Sequence, residues 1–298
     1  MINDLINSLK NKNIEHIPNL PLSSYSAFRT GGKAELGVFP TTTDELVFCL
    51  SEAHKRALPY YVLGNGSNVL FLDGALSGVF IFTKGLRSIS VDNNIITADA
   101  GATLSSLAGA AADASLCGLE FAKGIPGCVG GALFMNAGAY GGQMSDTVIS
   151  STCYDVESQK ILTVADHGFG YRESIYEKNH SLVCLSATFR LTEGNRQEIY
   201  VKMKEFADRR RQSQPLEFPS CGSYFKRPAG HFAGKLIEDC GLKGLAVGGA
   251  EVSEKHAGFI INRKNASASD ILELEKKVID AVYEKFGVKL EREVRVIG

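Results

Sequence analysis

The chain has 298 residues, of which 32 are Lys or Arg and 33 are Asp or Glu, so its formal net charge is −1. This near-zero balance argues against a general polyanion binder such as a nucleic-acid coat or a membrane-surface protein. Hydrophobic residues make up 44% and charged residues 22%, which indicates a globular protein of about two domains. No apolar run approaches the roughly 18 residues of a membrane span and no signal peptide is apparent, so we expect a cytoplasmic protein.

The first half of the chain predicts mixed helices and strands. Thr42 and Glu45 match a capping box that opens an apolar helical stripe, and Pro59 lies just beyond the end of that stripe. Short apolar runs predict strands at residues 60–63, 69–72, 79–83 and 95–98. An alanine-rich segment, residues 104–116, predicts the next helix.

The second half predicts longer strands and then a separate unit. Strands are expected at residues 147–156 and 181–191, and a charged helix at 198–211. The Pro/Ser/Gly stretch 214–222 predicts a hinge. Beyond the hinge we expect helices at 232–240 and 270–286 and strands at 258–261 and 290–297. Ser267 with Asp270 begins the long helix and Gly287 ends it.

The seven cysteines and six histidines match no metal or disulfide pattern. The cysteine number is odd, and neither Cys-x-x-Cys nor His-x-x-x-His occurs. We therefore predict no metal site, and we interpret the cysteines as small buried thiols in a reducing compartment.

Glycine is concentrated in two segments. Residues 64–68 read Gly-Asn-Gly-Ser-Asn, with neither the Lys of a P-loop nor the following helix of a Rossmann fingerprint. Their backbone N–H groups could bind an anion, and a hairpin turn is the alternative. Residues 124–142 hold seven glycines, which suits a large flat cofactor or else a buried turn. With both segments in one chain, we favour a dinucleotide ligand.

Three further motifs carry polar side chains that physical reasoning alone does not join into one site. Residues 171–174 read Tyr-Arg-Glu-Ser, residues 220–226 form a Ser/Gly turn ending in Lys, and residues 291–295 alternate Glu and Arg. The alternative interpretations are a surface arginine, a simple loop and a solvated strand edge.

The order of these motifs is that of a known fold. Residues 29–32, 64–68 and 124–141 resemble FAD-binding domains of the vanillyl-alcohol-oxidase type. With residues 171–174, 222–226 and 290–294 included, residues 23–298 resemble the UDP-N-acetylenolpyruvoylglucosamine reductase family, in its shorter type without a lid tyrosine.

The resemblance implies an α+β fold. The FAD-binding domain would be of the vanillyl-alcohol-oxidase (PCMH) type and would occupy residues 1–192, in two α/β subdomains of about 1–75 and 76–192. An α+β domain for the UDP-sugar substrate would follow at residues 193–298, with the last strand, about 289–298, returning to the active site.

The resemblance also implies the chemistry. NADPH would reduce a non-covalently bound FAD, and flavin N5 would deliver hydride to the β-carbon of the enolpyruvyl group of UDP-N-acetylglucosamine enolpyruvate. The product would be UDP-N-acetylmuramate, a peptidoglycan precursor. Arg172 matches the arginine that polarises the substrate carboxylate, Ser223 the serine that gives a proton to the α-carbon, and Glu293 the acid that stabilises or relays charge.

The binding residues that the resemblance implies fall mainly in the glycine segments. The cofactor-binding candidates are Gly64, Asn65, Gly66, Ser67, Asn68, Gly124, Ile125, Pro126, Gly127, Val129, Gly130, Gly131 and Ala132. The substrate-binding candidates are Tyr140, Arg211, Lys226 and Arg227. Arg227 stands where many relatives have Asn, and Ser213 where lysine is frequent, so the contacts to the substrate phosphates stay open. We expect small-molecule partners only, with no nucleic acid, membrane or obligate protein partner.

Two other functions are alternatives to the reductase. A flavin oxidase of the same superfamily often tethers its flavin through a histidine near the first glycine segment, and here the nearest is His54. A non-catalytic nucleotide-binding regulator would have no need for Ser223 and Glu293 to converge on a ligand.

Overall fold

The computed structural model describes residues 1–298. The chain divides into two compact units, each built from three separate stretches of sequence. The first comprises residues 1–18, 36–65 and 78–210, and the second comprises residues 19–35, 66–77 and 211–298. The domain ranges expected from the sequence, 1–192 and 193–298, stay predictions.

The molecule contains eight α-helices and eighteen short strands. The helices are α1 (Ile2–Asn11), α2 (Thr43–Lys55), α3 (Leu104–Asp113), α4 (Val129–Phe134), α5 (Ile175–Lys178), α6 (Arg196–Ser213), α7 (Ala233–Asp239) and α8 (Ala268–Phe286). The strands are β1 (Glu15–Pro21), β2 (Lys33–Phe39), β3 (Tyr60–Leu63), β4 (Val69–Phe71), β5 (Ala75–Phe82), β6 (Ile89–Asp92), β7 (Ile95–Asp99), β8 (Leu116–Cys117), β9 (Gly138–Ala139), β10 (Gly142–Gln143), β11 (Val148–Asp155), β12 (Lys160–Val164), β13 (Leu182–Arg190), β14 (Thr192–Glu193), β15 (Ala246–Val247), β16 (Ala250–Val252), β17 (Ile260–Asn262) and β18 (Arg295–Ile297).

The larger core of the first unit lies against a five-stranded antiparallel sheet of order β12-β11-β13-β7-β6. The alanines of α3 belong to this core, together with Val129 and Leu133 of α4. Small side chains let these helices approach the sheet closely, which fixes the place of the second glycine segment.

A second core in the first unit surrounds α2. Leu46 and Leu50 of α2 pack with Val79 and Ile81 of β5, which pairs in parallel with β3. The hydroxyl of Thr42 accepts the Glu45 N–H, as predicted, at 3.2 Å. The Glu45 carboxylate, however, accepts from the Thr41 N–H at 2.7 Å, so the reciprocal bond of the predicted capping box is displaced by one residue.

The core of the second unit is built around α8. Ile271, Leu274, Val278 and Val282 are buried on one face of this helix, together with residues of α7, β16 and β17. The capping box of Ser267 and Asp270 is present, and Gly287 ends the helix in the left-handed conformation at φ 66°. The predicted bounds of the long helix are therefore confirmed to within two residues.

The prediction of one strand over residues 290–297 is wrong in extent. Only β18, Arg295–Ile297, is a strand, and it pairs in parallel with β4. Before it, Arg292 forms a single bridge with Phe225, because the facing segment offers backbone partners over only a few residues.

The hairpin alternative for residues 64–68 is excluded, since β3 and β4 belong to different sheets.

Helix α4, inside the second glycine segment, was not predicted, because its two glycines disfavour a helix locally. None of the helices has a stretch of sufficient length and apolar character to span a bilayer.

Candidate active site

The two glycine segments contact each other in the first unit. A Cβ atom on Gly64 would lie 2.0 Å from the Cys128 Sγ atom, so any side chain there would have to displace the thiol. The Asn65 side-chain amide donates to the Pro126 carbonyl at 3.2 Å. Burial raises the pKa of the Cys128 thiol, against the opposing effect of the Gly131 and Asn65 N–H groups. The Cys128 side chain therefore packs against Gly64 as a neutral thiol.

The remainder of the first glycine segment lies in the second unit. Gly66 has φ 62°, and a Cβ atom there would lie 2.0 Å from the Tyr25 carbonyl oxygen. Its own carbonyl accepts the Ala27 N–H at 3.0 Å. The N–H groups of Gly66 and Ser67 donate to no protein acceptor. Consecutive N–H groups of this kind are the donor set that binds an anion such as phosphate.

The second glycine segment is held against the end of β7. The Gly130 N–H donates to the Ala100 carbonyl at 2.8 Å, and the Val129 N–H donates to the Ala102 carbonyl at 2.9 Å. A Cβ atom on Gly130 would lie 3.1 Å from that of Ala100. Gly131, one residue on, is exposed. The segment therefore packs against Ala100 on one side and leaves the backbone of Gly131 exposed on the other.

Arg172 lies beside this segment. Its Nη2 atom is 3.5 Å from the Gly138 carbonyl oxygen, and its guanidinium stands 5.1 Å from the Tyr171 ring centroid. The backbone at Arg172 is left-handed, at φ 61°, a conformation that non-glycine residues adopt mainly at constrained and functional positions.

Two side chains anchor the Arg172 loop to the end of α4. Asn136 donates its amide N–H to the Gly170 carbonyl at 3.0 Å. Ser174, which is fully buried, donates its hydroxyl to the Phe134 carbonyl at 2.8 Å. The predicted arginine and the second glycine segment are thus brought together by direct hydrogen bonds.

Arg210 belongs to the arginine run of residues 209–211, which the sequence offers as positive charge for the substrate diphosphate, and it lies against the second glycine segment. Its Cδ atom lies 3.4 Å from the position of a Cβ on Gly124, and no carboxylate pairs with its guanidinium. Burial lowers its pKa, an effect that Tyr140 opposes. Phe206, one helical turn earlier, stacks on the Tyr140 ring at 4.7 Å. The i, i+4 spacing of Phe206 and Arg210 was the available signal that Arg210 faces the glycine segment.

Ser223 and Glu293 lie on adjacent segments of the second unit. The Glu293 N–H donates to the Tyr224 carbonyl at 2.8 Å, and the Lys226 N–H donates to the Glu291 carbonyl at 2.8 Å. Asn68 contacts the second of these segments, since its amide donates to the Glu293 carbonyl at 3.1 Å. Ser223 is exposed and Glu293 is half-buried.

The three basic candidates of the second unit each make a different kind of contact. Lys226 is 3.7 Å from a Glu291 carboxylate oxygen. The Arg227 guanidinium lies 4.5 Å from the Phe232 ring centroid. The Arg211 carbonyl accepts the Lys255 ammonium at 2.6 Å.

Comparison with known proteins decides between the functions that the sequence left open. Residues 34–165 match the profile of an FAD binding domain, and residues 214–297 match that of the UDP-N-acetylenolpyruvoylglucosamine reductase C-terminal domain. A UDP-N-acetylenolpyruvoylglucosamine reductase of Clostridioides difficile is 46% identical over 297 residues, which is 99% of this chain and 97% of the relative. The chain belongs to the UDP-N-acetylenolpyruvoylglucosamine reductase family.

The solved structures agree with this family. The crystal structure of the reductase from Thermus caldophilus superposes with a TM-score of 0.81 at 34% identity, covering 96% of this chain and 99% of that one. A glucose dehydrogenase, Phl p 4.0202, shares the fold with a TM-score of 0.51 at 16% identity, covering 65% of this chain and 44% of that one. The predicted α+β fold with an FAD-binding domain of the vanillyl-alcohol-oxidase type is confirmed, and the chain is an FAD oxidoreductase.

The residues present fit FAD. In the first unit, a Cβ on Gly64 would clash with the Cys128 thiol and one on Gly130 would crowd Ala100, and Gly131 leaves its backbone exposed. In the second unit, the N–H groups of Gly66 and Ser67 offer donors for a phosphate. Which of these residues touch the cofactor stays a prediction.

Proposed function

We propose that this enzyme uses NADPH and FAD to reduce the enolpyruvyl group of UDP-N-acetylglucosamine enolpyruvate to UDP-N-acetylmuramate, a step of peptidoglycan precursor synthesis. The observation that carries the proposal is the 46% identity, over nearly the whole length of both chains, to a relative named for this reductase. A nucleotide sugar and NADPH as substrates favour a cytoplasmic place of action.

Arg172 is proposed to bind the substrate carboxylate. FAD, when bound, supplies a hydride acceptor for NADPH and a hydride donor for the unsaturated carbon. Addition of hydride to the β-carbon leaves negative charge that spreads from the α-carbon onto the carboxylate. The guanidinium of Arg172 stabilises that charge, and the anchored loop around it limits the reorganisation needed during the reaction.

Ser223 is proposed to give the proton to the α-carbon. A hydroxyl is a weak acid, so it must be held close to the carbon with a group behind it that restores the proton. Glu293 lies on the adjacent segment, its own N–H bonded to the Tyr224 carbonyl, and is the first candidate for that role. Lys226, 3.7 Å from a Glu291 carboxylate, is the second candidate.

The substrate diphosphate is proposed to meet the basic side chains of the second unit. Lys226, Arg227 and Arg211 supply the positive charge that the near-neutral total of the chain does not. Tyr140, 37% exposed and stacked on Phe206, is proposed as an aromatic contact for a ligand of the first unit.

One observation weighs against a flavin tethered through a histidine, as in the related oxidases. His54, the histidine nearest the first glycine segment in sequence, lies exposed in the last turn of α2. We therefore propose that FAD is held non-covalently by the glycine segments.

Flavin absorbance under anaerobic conditions tests the proposal. We expect a yellow protein that releases its flavin on denaturation and bleaches with NADPH. The colour should return on adding UDP-N-acetylglucosamine enolpyruvate, with one UDP-N-acetylmuramate formed per flavin reoxidised. Reoxidation by oxygen but not by the enolpyruvyl substrate would favour the oxidase, and a protein unable to take up FAD would favour the regulator.

A further inference from the structure

Glu275 is a buried carboxylate in the apolar core of the second unit. It lies on α8 beside Leu274 and Val278, which are fully buried, and is itself only 8% exposed. Moving a carboxylate out of water into such a core is costly unless it is paired and hydrogen-bonded. Its presence on this face of α8 therefore calls for a physical reason.

One oxygen of Glu275 joins two side chains. Oε2 accepts the hydroxyl of Tyr224 at 2.8 Å and the Nη1 of Arg292 at 3.1 Å. Tyr224 is fully buried and packs edge-on against Phe28. Burial and the neighbouring Glu275 raise the pKa of Tyr224, so its hydroxyl remains a donor.

These two partners are the chain neighbours of the proposed proton-delivery pair. Tyr224 directly follows Ser223, and Arg292 directly precedes Glu293. The backbones of the two segments meet in the bridge between Phe225 and Arg292 and in the bond from the Glu293 N–H to the Tyr224 carbonyl. The Tyr224 N–H is itself bonded to the Gly258 carbonyl at 2.8 Å.

We propose that Glu275 is a positioning residue that sets the separation of Ser223 and Glu293 by tying both of their segments to α8. The inference rests on the proposed function, because it assumes that Ser223 and Glu293 act together on the substrate. Glu275 does not touch the substrate. It acts through Tyr224 and Arg292, and a shift of about 1 Å in either segment is enough to cost about 100-fold in rate.

The effect of Glu275 on the two segments can be separated from its effect on stability. Buried ion pairs are poor stabilisers, and apolar groups of similar volume often replace them without loss of stability. The double variant E275M/Y224F removes the carboxylate and the hydroxyl together, so no buried polar atom is left unsatisfied. Arg292, whose side chain is 34% exposed, can turn to solvent.

The test compares the two half-reactions in the FAD-loaded enzyme. We expect E275M/Y224F to be reduced by NADPH within about twofold of the wild-type rate, and its reoxidation by UDP-N-acetylglucosamine enolpyruvate to be about 10-fold slower or more. E275Q keeps an acceptor for Tyr224 and should lie between wild type and the double variant. Val278→Ala, one turn further along the same buried face, is the control and should lower thermal stability without this split.

Amide hydrogen exchange gives a second measurement that does not depend on the substrate. The Tyr224 and Glu293 N–H groups should exchange faster in E275M/Y224F and in E275Q than in wild type or Val278→Ala. Unchanged exchange, or reoxidation of the double variant within about twofold of wild type, overturns the positioning role. Failure of wild-type reoxidation by the enolpyruvyl substrate counts against the proposed function instead, and the exchange measurement still decides whether Glu275 orders the two segments.

Discussion

Gly64 shows how a single missing side chain joins the two glycine segments. The space that a Cβ would need is taken by the buried Cys128 thiol, at 2.0 Å. The thiol is in turn approached by the N–H groups of Gly131 and Asn65. The requirement for glycine at this position is therefore steric, and it is independent of any ligand.

Gly64→Ala should consequently loosen the contact between the two glycine segments. We expect a loss of about 1–3 kcal/mol in the free energy of unfolding and weaker retention of FAD, because Cys128 must move to admit the methyl group. Gly109→Ala is the matched control. It lies inside α3 with only the Lys123 Nζ near, at 3.9 Å, and should stabilise by about 0.5–1 kcal/mol. Equal stability of the two variants in urea unfolding would contradict the steric account.

His167 is a buried base at the start of the Arg172 loop. Its Nε2 is 2.7 Å from the Ser151 hydroxyl, which also lies 2.5 Å from the Tyr176 hydroxyl. The His167 carbonyl accepts the Ile175 N–H at 2.7 Å. Burial lowers the pKa of His167, against the smaller effects of the Ala165 backbone and Asp166. The neutral ring is therefore part of the native fold.

The enzyme should accordingly lose stability on acidification. Above about pH 6.5, histidine is neutral in both the folded and the unfolded chain, so this contribution is fully present. As the pH falls from there through the folded pKa, the unfolded state binds a proton that the native state does not, at up to about 1.4 kcal/mol per pH unit. His167→Gln removes this titration, so its urea-unfolding free energy should depend less on pH between about 7.5 and 5.5 than that of wild type. Parallel curves would show that His167 is not buried as a neutral base.

Among the helices and strands, the sequence predicts best those whose ends are set by neighbouring residues in the chain. The long helix α8 was predicted to within two residues because Ser267, Asp270 and Gly287 each act on the backbone next to them. The strand over residues 290–297 was wrong in extent because a strand needs a partner, and the partner of β18 is β4, more than 200 residues earlier. The helix within the second glycine segment depends likewise on packing against the sheet of the first unit.

Removal of the cap of α8 should weaken the second unit. The Ser267 hydroxyl accepts the Asp270 N–H at 3.0 Å, and Ser267→Ala leaves that donor without its partner, at a cost of about 1 kcal/mol. Lys276→Ala, on the exposed side of the same helix, should change stability by less than about 0.5 kcal/mol. The difference is read from the denaturant midpoint of the two variants. A Ser267→Ala variant as stable as Lys276→Ala would show that the cap contributes nothing.

At the scale of the whole molecule, the arrangement of units was beyond the reach of sequence patterns. The chain passes from one unit to the other at five points, including within residues 64–68. Periodicity and turn chemistry indicate single elements but not which distant stretches pack together. The family resemblance supplied the overall fold correctly. The structure added direct contacts that no motif contains, such as those of the Arg172 loop with the end of α4 and of Glu293 with Asn68.

The proposed chemistry assigns Ser223 to one half of the catalytic cycle only. Reduction of the flavin by NADPH needs no proton from Ser223, whereas reduction of the enolpyruvyl group does. Ser223→Ala keeps the backbone of its segment, including the bonds made by Tyr224, and so isolates the hydroxyl.

Stopped-flow measurement of both half-reactions in wild type and Ser223→Ala tests whether Ser223 donates the proton. We expect the NADPH-driven bleaching of Ser223→Ala to stay within about twofold of wild type, and its reoxidation by UDP-N-acetylglucosamine enolpyruvate to slow by about 100-fold or more, the size expected for loss of a proton donor. An equal loss in both half-reactions, or no loss in reoxidation, would contradict that role.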